Sequence, residues 1–231
     1  MRDQLRAAPA APPTGSYAVA ALIPVRRKIA RDEGLAAGMK ALDARIGEGN
    51  RAAAEKVPAP PAAHGEARYL GIDECETCHP AAVKFWKTTV HAKAWQELVA
   101  VNKQWSYDCI SCHVTGYGKA GGSAMAHVDK LSDVQCEVCH GPGSLHAGRP
   151  KLVKIPVASP GKELCLGCHT REHSDTFQYE AYLRDILGPA HGAKKRTALG
   201  DGATGHALRQ AAIAKAKVVV ESSTVSGGAT R

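Results

Sequence analysis

Phenylalanine is nearly missing from this chain, at two residues in 231, and aromatic residues together make up only 5 %. Much of the 44 % apolar content is alanine, so the usual core of Leu, Ile, Val and Phe is not on offer to a chain of this length. Something other than side chains must fill the centre. Long hydrophobic stretches are lacking too: the run Ala18 to Val25 is broken by Pro24 and is too short for a membrane span or for the apolar part of an export signal. The net charge is +8 and the pI near 9.1, yet no Arg-rich strip interleaved with aromatics appears, which disfavours nucleic acid as a partner. Finally, no cysteine is spare for a disulfide.

All eight cysteines fall in four copies of one pattern: Cys75-Glu76-Thr77-Cys78-His79, Cys109-Ile110-Ser111-Cys112-His113, Cys136-Glu137-Val138-Cys139-His140 and Cys165-Leu166-Gly167-Cys168-His169. Cys-x-x-Cys-His is the attachment signature of a c-type haem, in which two thiols form thioethers and the next imidazole reaches the iron. Paired cysteines also serve zinc ribbons and thioredoxin-like redox sites. A zinc site, however, has no need of a His after the second Cys, and here one follows four times out of four. The predicted cofactors are four haem c, held by Cys75, Cys78, Cys109, Cys112, Cys136, Cys139, Cys165 and Cys168, with iron ligands His79, His113, His140 and His169. Ionised propionates would offset much of the positive charge and give the Lys and Arg residues partners.

The fold class that follows is mainly α: a multihaem cytochrome with short helices and long loops packed around four covalently bound haems. About 30 residues per haem leave little else to form a core. Residues 1–63 read as an N-terminal helix and a Pro/Ala linker, 64–192 as the haem domain, and 193–231 as a mobile basic, low-complexity tail. Within the first part, Ser16 to Val25 suits a short strand, and Ile29, Leu35, Met39, Leu42 and Ile46 form a helical stripe expected to pack on its own domain. Pro80 to Ala100 reads as one helix, with Trp86 and Trp95 against porphyrin edges. The glycines between Gly116 and Gly122 would let backbone approach a flat cofactor. A phosphate loop is excluded there by the missing Lys-Ser/Thr.

The run Cys-x-x-Cys-His-Val-Thr-Gly-Tyr-Gly at the second motif, and Val-Gln-Cys-Glu-x-Cys-His-Gly-Pro-Gly-x-x-His at the third, resemble the cytochrome c-554 family of tetrahaem proteins. So does Phe85-Trp86 to His91-Ala92-Lys93-Ala94, and the likeness covers about Tyr69 to Gly192. The resemblance implies a compact protein with mostly bis-His irons, one iron five-coordinate in the best-known type, that shuttles electrons in periplasmic respiration or nitrogen metabolism. It makes His91, His146 and His191 the second ligands of three irons, and leaves His127 and His173 undecided. His64 and His206 lie outside the matched region. The haem of Cys109, Cys112 and His113 is then the one expected to lack a strong second ligand. Gly15 to Ala54 distantly resembles the end of a metallophosphoesterase domain fused upstream, but the metal motifs of those enzymes are missing, so no such activity attaches to it.

Two functions fit these features. One is an electron carrier between other redox proteins in the periplasm or another extracytoplasmic space. The other is a small multihaem reductase acting on a nitrogen or sulfur oxyanion at a five-coordinate haem. No constellation of carboxylate, Lys or Tyr around one motif announces proton delivery, which favours the carrier. Protein matured in a periplasm should show four haem increments in its intact mass; three or fewer with every cysteine intact would contradict the reading of the motifs.

Overall fold

Helix α1, Glu33–Ala54, begins where the Asp32 carboxylate accepts the Leu35 N–H at 2.9 Å, with Glu33 in the first turn and Arg51 in the last, as the helix dipole favours. The structure, a computed structural model, describes residues 32–188 and 191–222. The strand expected over Ser16 to Val25, and Ile29 of the stripe, lie outside them.

The stripe itself does not pack as expected. Leu35, Met39, Leu42 and Ile46 are exposed, and α1 docks through a face roughly a quarter-turn away. There Asp43 pairs with Lys103 at 2.8 Å, Gly47 lies against the Trp105 side chain, Asn50 donates to the Trp105 carbonyl at 2.8 Å, and Ala54 is buried. The docking side uses small and polar residues because it meets a tryptophan and a backbone carbonyl, which an apolar period does not anticipate.

Between residues 72 and 186 the helices are short: α2 Ile72–Glu76, α3 Pro80–Trp86, α4 Ala94–Ala100, α5 Tyr107–Ile110, α6 Cys136–His140, α7 Ser144–Gly148, α8 Lys162–Leu166 and α9 Tyr179–Ile186. Two isolated bridges, Val114 to Ser132 and Ala124 to His127, are the extended pairings among the described residues. Helices of one or two turns are marginal in water, so other contacts must hold them.

The helix expected over Pro80 to Ala100 is interrupted. Pro80 starts α3 at a position where proline costs nothing, and the Thr88 and Thr89 hydroxyls then donate back to the carbonyls of Phe85 and Trp86, at 2.6 and 2.8 Å. Such bonds compete with helix continuation. The chain turns, passes through a 3-10 segment Val90–Lys93, and resumes as α4. The break redirects His91, whose carbonyl accepts the Val134 N–H at 3.1 Å.

A small apolar cluster of Ala54, Ile110, Val114, Met125 and Val128, flanked by Trp95, Trp105 and Tyr117, sits beside the second motif. Trp95 meets Trp105 edge-on within it, and Trp86 donates its indole N–H to the Val134 carbonyl at 2.8 Å. Next to it a polar knot joins the second and third motifs. Thr115 N–H donates to Leu131 O, its hydroxyl to Asp133 O, and the buried Gln135 amide donates to the carbonyls of Lys130 and Ser132. The glycine loop closes against Tyr69: a Cβ on Gly116 would fall 2.8 Å from that ring, and one on Gly121 3.0 Å from Arg68. The close approach these glycines permit is to Tyr69 and Arg68. The Pro/Ala linker also lies on this loop, the Pro60 carbonyl accepting the Gly121 N–H at 2.7 Å.

The stretch expected as a low-complexity tail carries α10, Ala193–Ala198, and α11, Gly205–Ser222. Alanine-rich sequence has high intrinsic helix propensity, and α11 packs on α9, where Gly205 meets the Tyr182 ring. The Arg184 guanidinium ties the turn between them by donating to the carbonyls of Leu199, Gly200 and Ala203.

These contacts predict opposite outcomes on the two faces of α1. Asn50→Ala strands the Trp105 carbonyl and should lower unfolding stability by about 1–3 kcal/mol. Leu42→Ala, on the exposed stripe, should change it by less than about 0.5 kcal/mol. Denaturant unfolding of the two variants checks this.

Candidate metal centres

In one turn of helix, residues i, i+3 and i+4 share a face, so a helical Cys-x-x-Cys-His presents two thiols and an imidazole to the same side. The motifs adopt that turn. His79 and His169 N–H groups donate to the carbonyls of Cys75 and Cys165 at 2.8 Å, and Cys112 N–H to Cys109 O at 3.3 Å, while the third motif forms α6. All eight thiols are free.

Each of three motif histidines faces an imidazole from a distant segment. His79 and His146 stack with ring centres 6.5 Å apart and planes at 20°; His140 and His191 do so at 6.5 Å and 18°; His91 and His169 lie at 6.2 Å and 46°. Metal–imidazole bonds run about 2.0–2.1 Å, and the ring centre lies about 1.15 Å behind its nitrogen. Two imidazoles on opposite sides of one metal therefore have centres about 6.4 Å apart. Neither His91 nor His146 faces the imidazole of the motif just upstream of it.

The histidines are also oriented from behind. His140 Nδ1 bonds the Val157 carbonyl and His146 Nδ1 the Val153 carbonyl, both at 2.7 Å, and His169 Nδ1 meets Ser174 Oγ at 3.0 Å. A carbonyl partner keeps the proton on Nδ1 and leaves Nε2 with its lone pair. Phe177 stacks on His169 at 4.8 Å, with Tyr182 edge-on at 5.2 Å. Burial, then the charge of His169, pushes His91 down to about 4. Burial also lowers His169 and is the main cause that lowers His191. Burial thus favours the neutral form of these rings, the form that binds metal.

His113 differs. Its Nδ1 bonds the Ala94 carbonyl at 2.5 Å, but among the described residues no aromatic ring faces it at such a distance. His127 is engaged by its backbone with Ala124, and His173 is exposed with its N–H on Thr170 Oγ1. His64 and His206 are exposed as well.

The motifs touch in a fixed order. The Cys75 and Cys136 thiols neighbour each other, which pushes Cys75 up and pulls Cys136 down. Burial, followed by the nearby Cys165 and Cys136, pushes Cys139 up to about 11. Burial and then the neighbouring Cys112 thiol push Cys168 up to about 12. The loops thus adjoin as first, third, fourth, second.

Sequence reasoning missed Glu137, the first x of the third motif. Its buried carboxylate accepts the N–H groups of Leu70, Gly71 and Gly143 at 2.7–3.0 Å, which lashes the entry to the first motif onto the Gly-Pro-Gly turn of the third. An acidic residue between two cysteines carries no signal of that kind. Asp133 was missed too; its carboxylate accepts the Trp95 N–H at 2.8 Å.

Residues 74–141 match the family described as cytochrome c554 and c-prime. Cytochrome c-554 of Nitrosomonas europaea is 35 % identical over 34 % of this chain and 40 % of its own length. The likeness to the cytochrome c-554 family thus covers this part of the chain. The reduced state of cytochrome c554 from the same organism is a solved structure with 34 % identity, covering 38 % of this chain and 50 % of that one at a TM-score of 0.34. The chain therefore spans half or less of the length of these relatives.

The likeness to this family implies haem c, and the residues fit it. The gaps between paired imidazoles suit a metal, the thiols are free, and His191 Nδ1 is buried without a partner, an atom that needs something at the site to satisfy it. Leu145, Leu164, Leu166 and Tyr107 are exposed beside the motifs, where a porphyrin would cover them. Among the described residues no three His, Cys, Asp or Glu converge as a protein-only metal site.

In the matured protein, His91→Ala, His146→Ala and His191→Ala should each convert one low-spin ferric iron to high-spin in the EPR spectrum. Spectra unchanged in all three would reject these ligand assignments.

Proposed function

We propose that the protein is a tetrahaem c-type cytochrome that carries electrons between other redox proteins in the periplasm or another extracytoplasmic space. The observation that carries the reading is the set of three imidazole pairs, each joining a motif histidine to a remote one across 6.2–6.5 Å. Haem supplies a one-electron iron couple whose potential is set by its axial ligands and burial. The pairs His79 with His146, His140 with His191 and His169 with His91 would close both faces of three irons, leaving no place for a substrate. The adjoining loops, in the order first, third, fourth, second, give a continuous line of sites, as a carrier requires. No helix of the described residues is long and apolar enough to cross a membrane.

The reductase reading has one observation in its favour, the lone His113, which leaves one iron open to a small molecule. It lacks a proton donor on that side. Asp133 bonds the peptide behind His113, not a group in front of it.

Turnover separates the two readings, since both leave the iron at His113 open. The reduced protein should bind one carbon monoxide per chain with a shifted Soret band, while an oxidised nitrogen or sulfur compound should not be turned over. Steady turnover of nitrite or sulfite would contradict the carrier function.

A further inference from the structure

His113 Nδ1 bonds the Ala94 carbonyl at 2.5 Å, and the Trp95 N–H donates to Asp133 Oδ1 at 2.8 Å. The carbonyl of residue 94 and the N–H of residue 95 belong to one peptide group. A planar, conjugated amide thus stands between the imidazole and the carboxylate, with a hydrogen bond at each end. A charge on the N–H side draws the amide dipole toward it and makes the carbonyl oxygen a stronger acceptor, since hydrogen bonds in series polarise one another.

We infer that Asp133 is a positioning residue for the His113 metal centre, acting through the Ala94–Trp95 peptide to make the imidazole a more strongly donating iron ligand. The inference rests on the reading that the iron at His113 has no second imidazole. Second-shell partners raise ligand basicity in this way when they bond the ring directly; here the partner acts one peptide further out.

Other features support it. Asp133 sits at φ 70°, a left-handed conformation that non-glycine residues seldom adopt, so the chain is bent to bring the side chain here. Thr115 fixes the bend by donating its hydroxyl to the Asp133 carbonyl at 2.8 Å and by accepting the Gln135 N–H at 3.1 Å. Burial raises the Asp133 carboxyl, while the Trp95 N–H and then His113 pull it back. Among the described residues no Lys or Arg pairs with Asp133, so its charge is not cancelled locally. The other motif histidines have simpler backing: His140 bonds the Val157 carbonyl and His169 bonds Ser174 Oγ.

The test is the iron–histidine stretching band in resonance Raman spectra of the reduced, fully matured protein, a band that ferrous haem with a single histidine gives. Asp133→Asn keeps an acceptor oxygen for Trp95, removes the charge, and suits the left-handed backbone, which asparagine tolerates well. The variant should keep the haem mass and low-spin signals of the parent, move the band to lower wavenumber, and shift the ferric/ferrous ratio of that iron about tenfold toward ferrous at fixed potential, about 59 mV for one electron. An unmoved band and potential in a correctly matured Asp133→Asn protein would overturn the inference. If that variant does not mature, Asp133→Glu decides: parental mass and band with the charge retained support the assignment. Failure of both variants would mean that Asp133 serves the turn alone, and would also overturn it. A parent protein with no such band and no carbon monoxide binding would instead refute the open iron at His113, a separate failure.

Discussion

Two imidazoles can share a metal only if the chain delivers them to opposite sides of a gap near 6.4 Å, and this chain does so three times, from segments 67, 78 and 51 residues apart in His79–His146, His91–His169 and His140–His191. Much of the architecture follows from that constraint. The break after α3 turns His91 toward the fourth motif, and the Gly-Pro-Gly turn after α6 starts α7, which carries His146 to the first. The Glu137 carboxylate holds the two loops concerned in one register. None of these short helices would persist by propensity. They persist here as brackets for the rings they hold.

The energetics agree with that arrangement. Buried apolar side chains cluster beside the second motif, where Ile110, Val114, Met125 and Val128 pack with the two tryptophans, and it is the motif histidine there, His113, that no imidazole faces among the described residues. Around the other three motifs the protein offers little packing of its own and leaves leucines such as Leu164 and Leu166 exposed. A covalent, metal-bound cofactor would provide there what side chains provide around His113. Binding energy of that kind is also folding energy, so a chain so poor in Phe can still form a defined structure.

The motif turns, the mainly helical character and the short elements were legible in the sequence, because Cys-x-x-Cys-His has one geometric use and the composition left no ordinary core. The identity of the remote histidines came from resemblance; spacing alone would not have matched His146 with His79 rather than with His140. What stayed illegible was long-range and polar. Glu137 reads as an exposed acid inside a motif, yet it is buried and bonded by three backbone N–H groups. Asp133 reads as part of a turn. The apolar stripe of α1 misled because Asn50 and Gly47, not Leu42, meet Trp105. Composition likewise does not report that Gly205 admits α11 against Tyr182.

The central claim concerns where iron sits, and anomalous diffraction at the iron edge from crystals of the matured protein measures that directly. The account predicts four peaks: one between His79 and His146, one between His140 and His191, one between His91 and His169, and a fourth beside His113 with an imidazole on one side only. A peak between His113 and His127 or His173, or fewer than four peaks in fully matured protein, would contradict it.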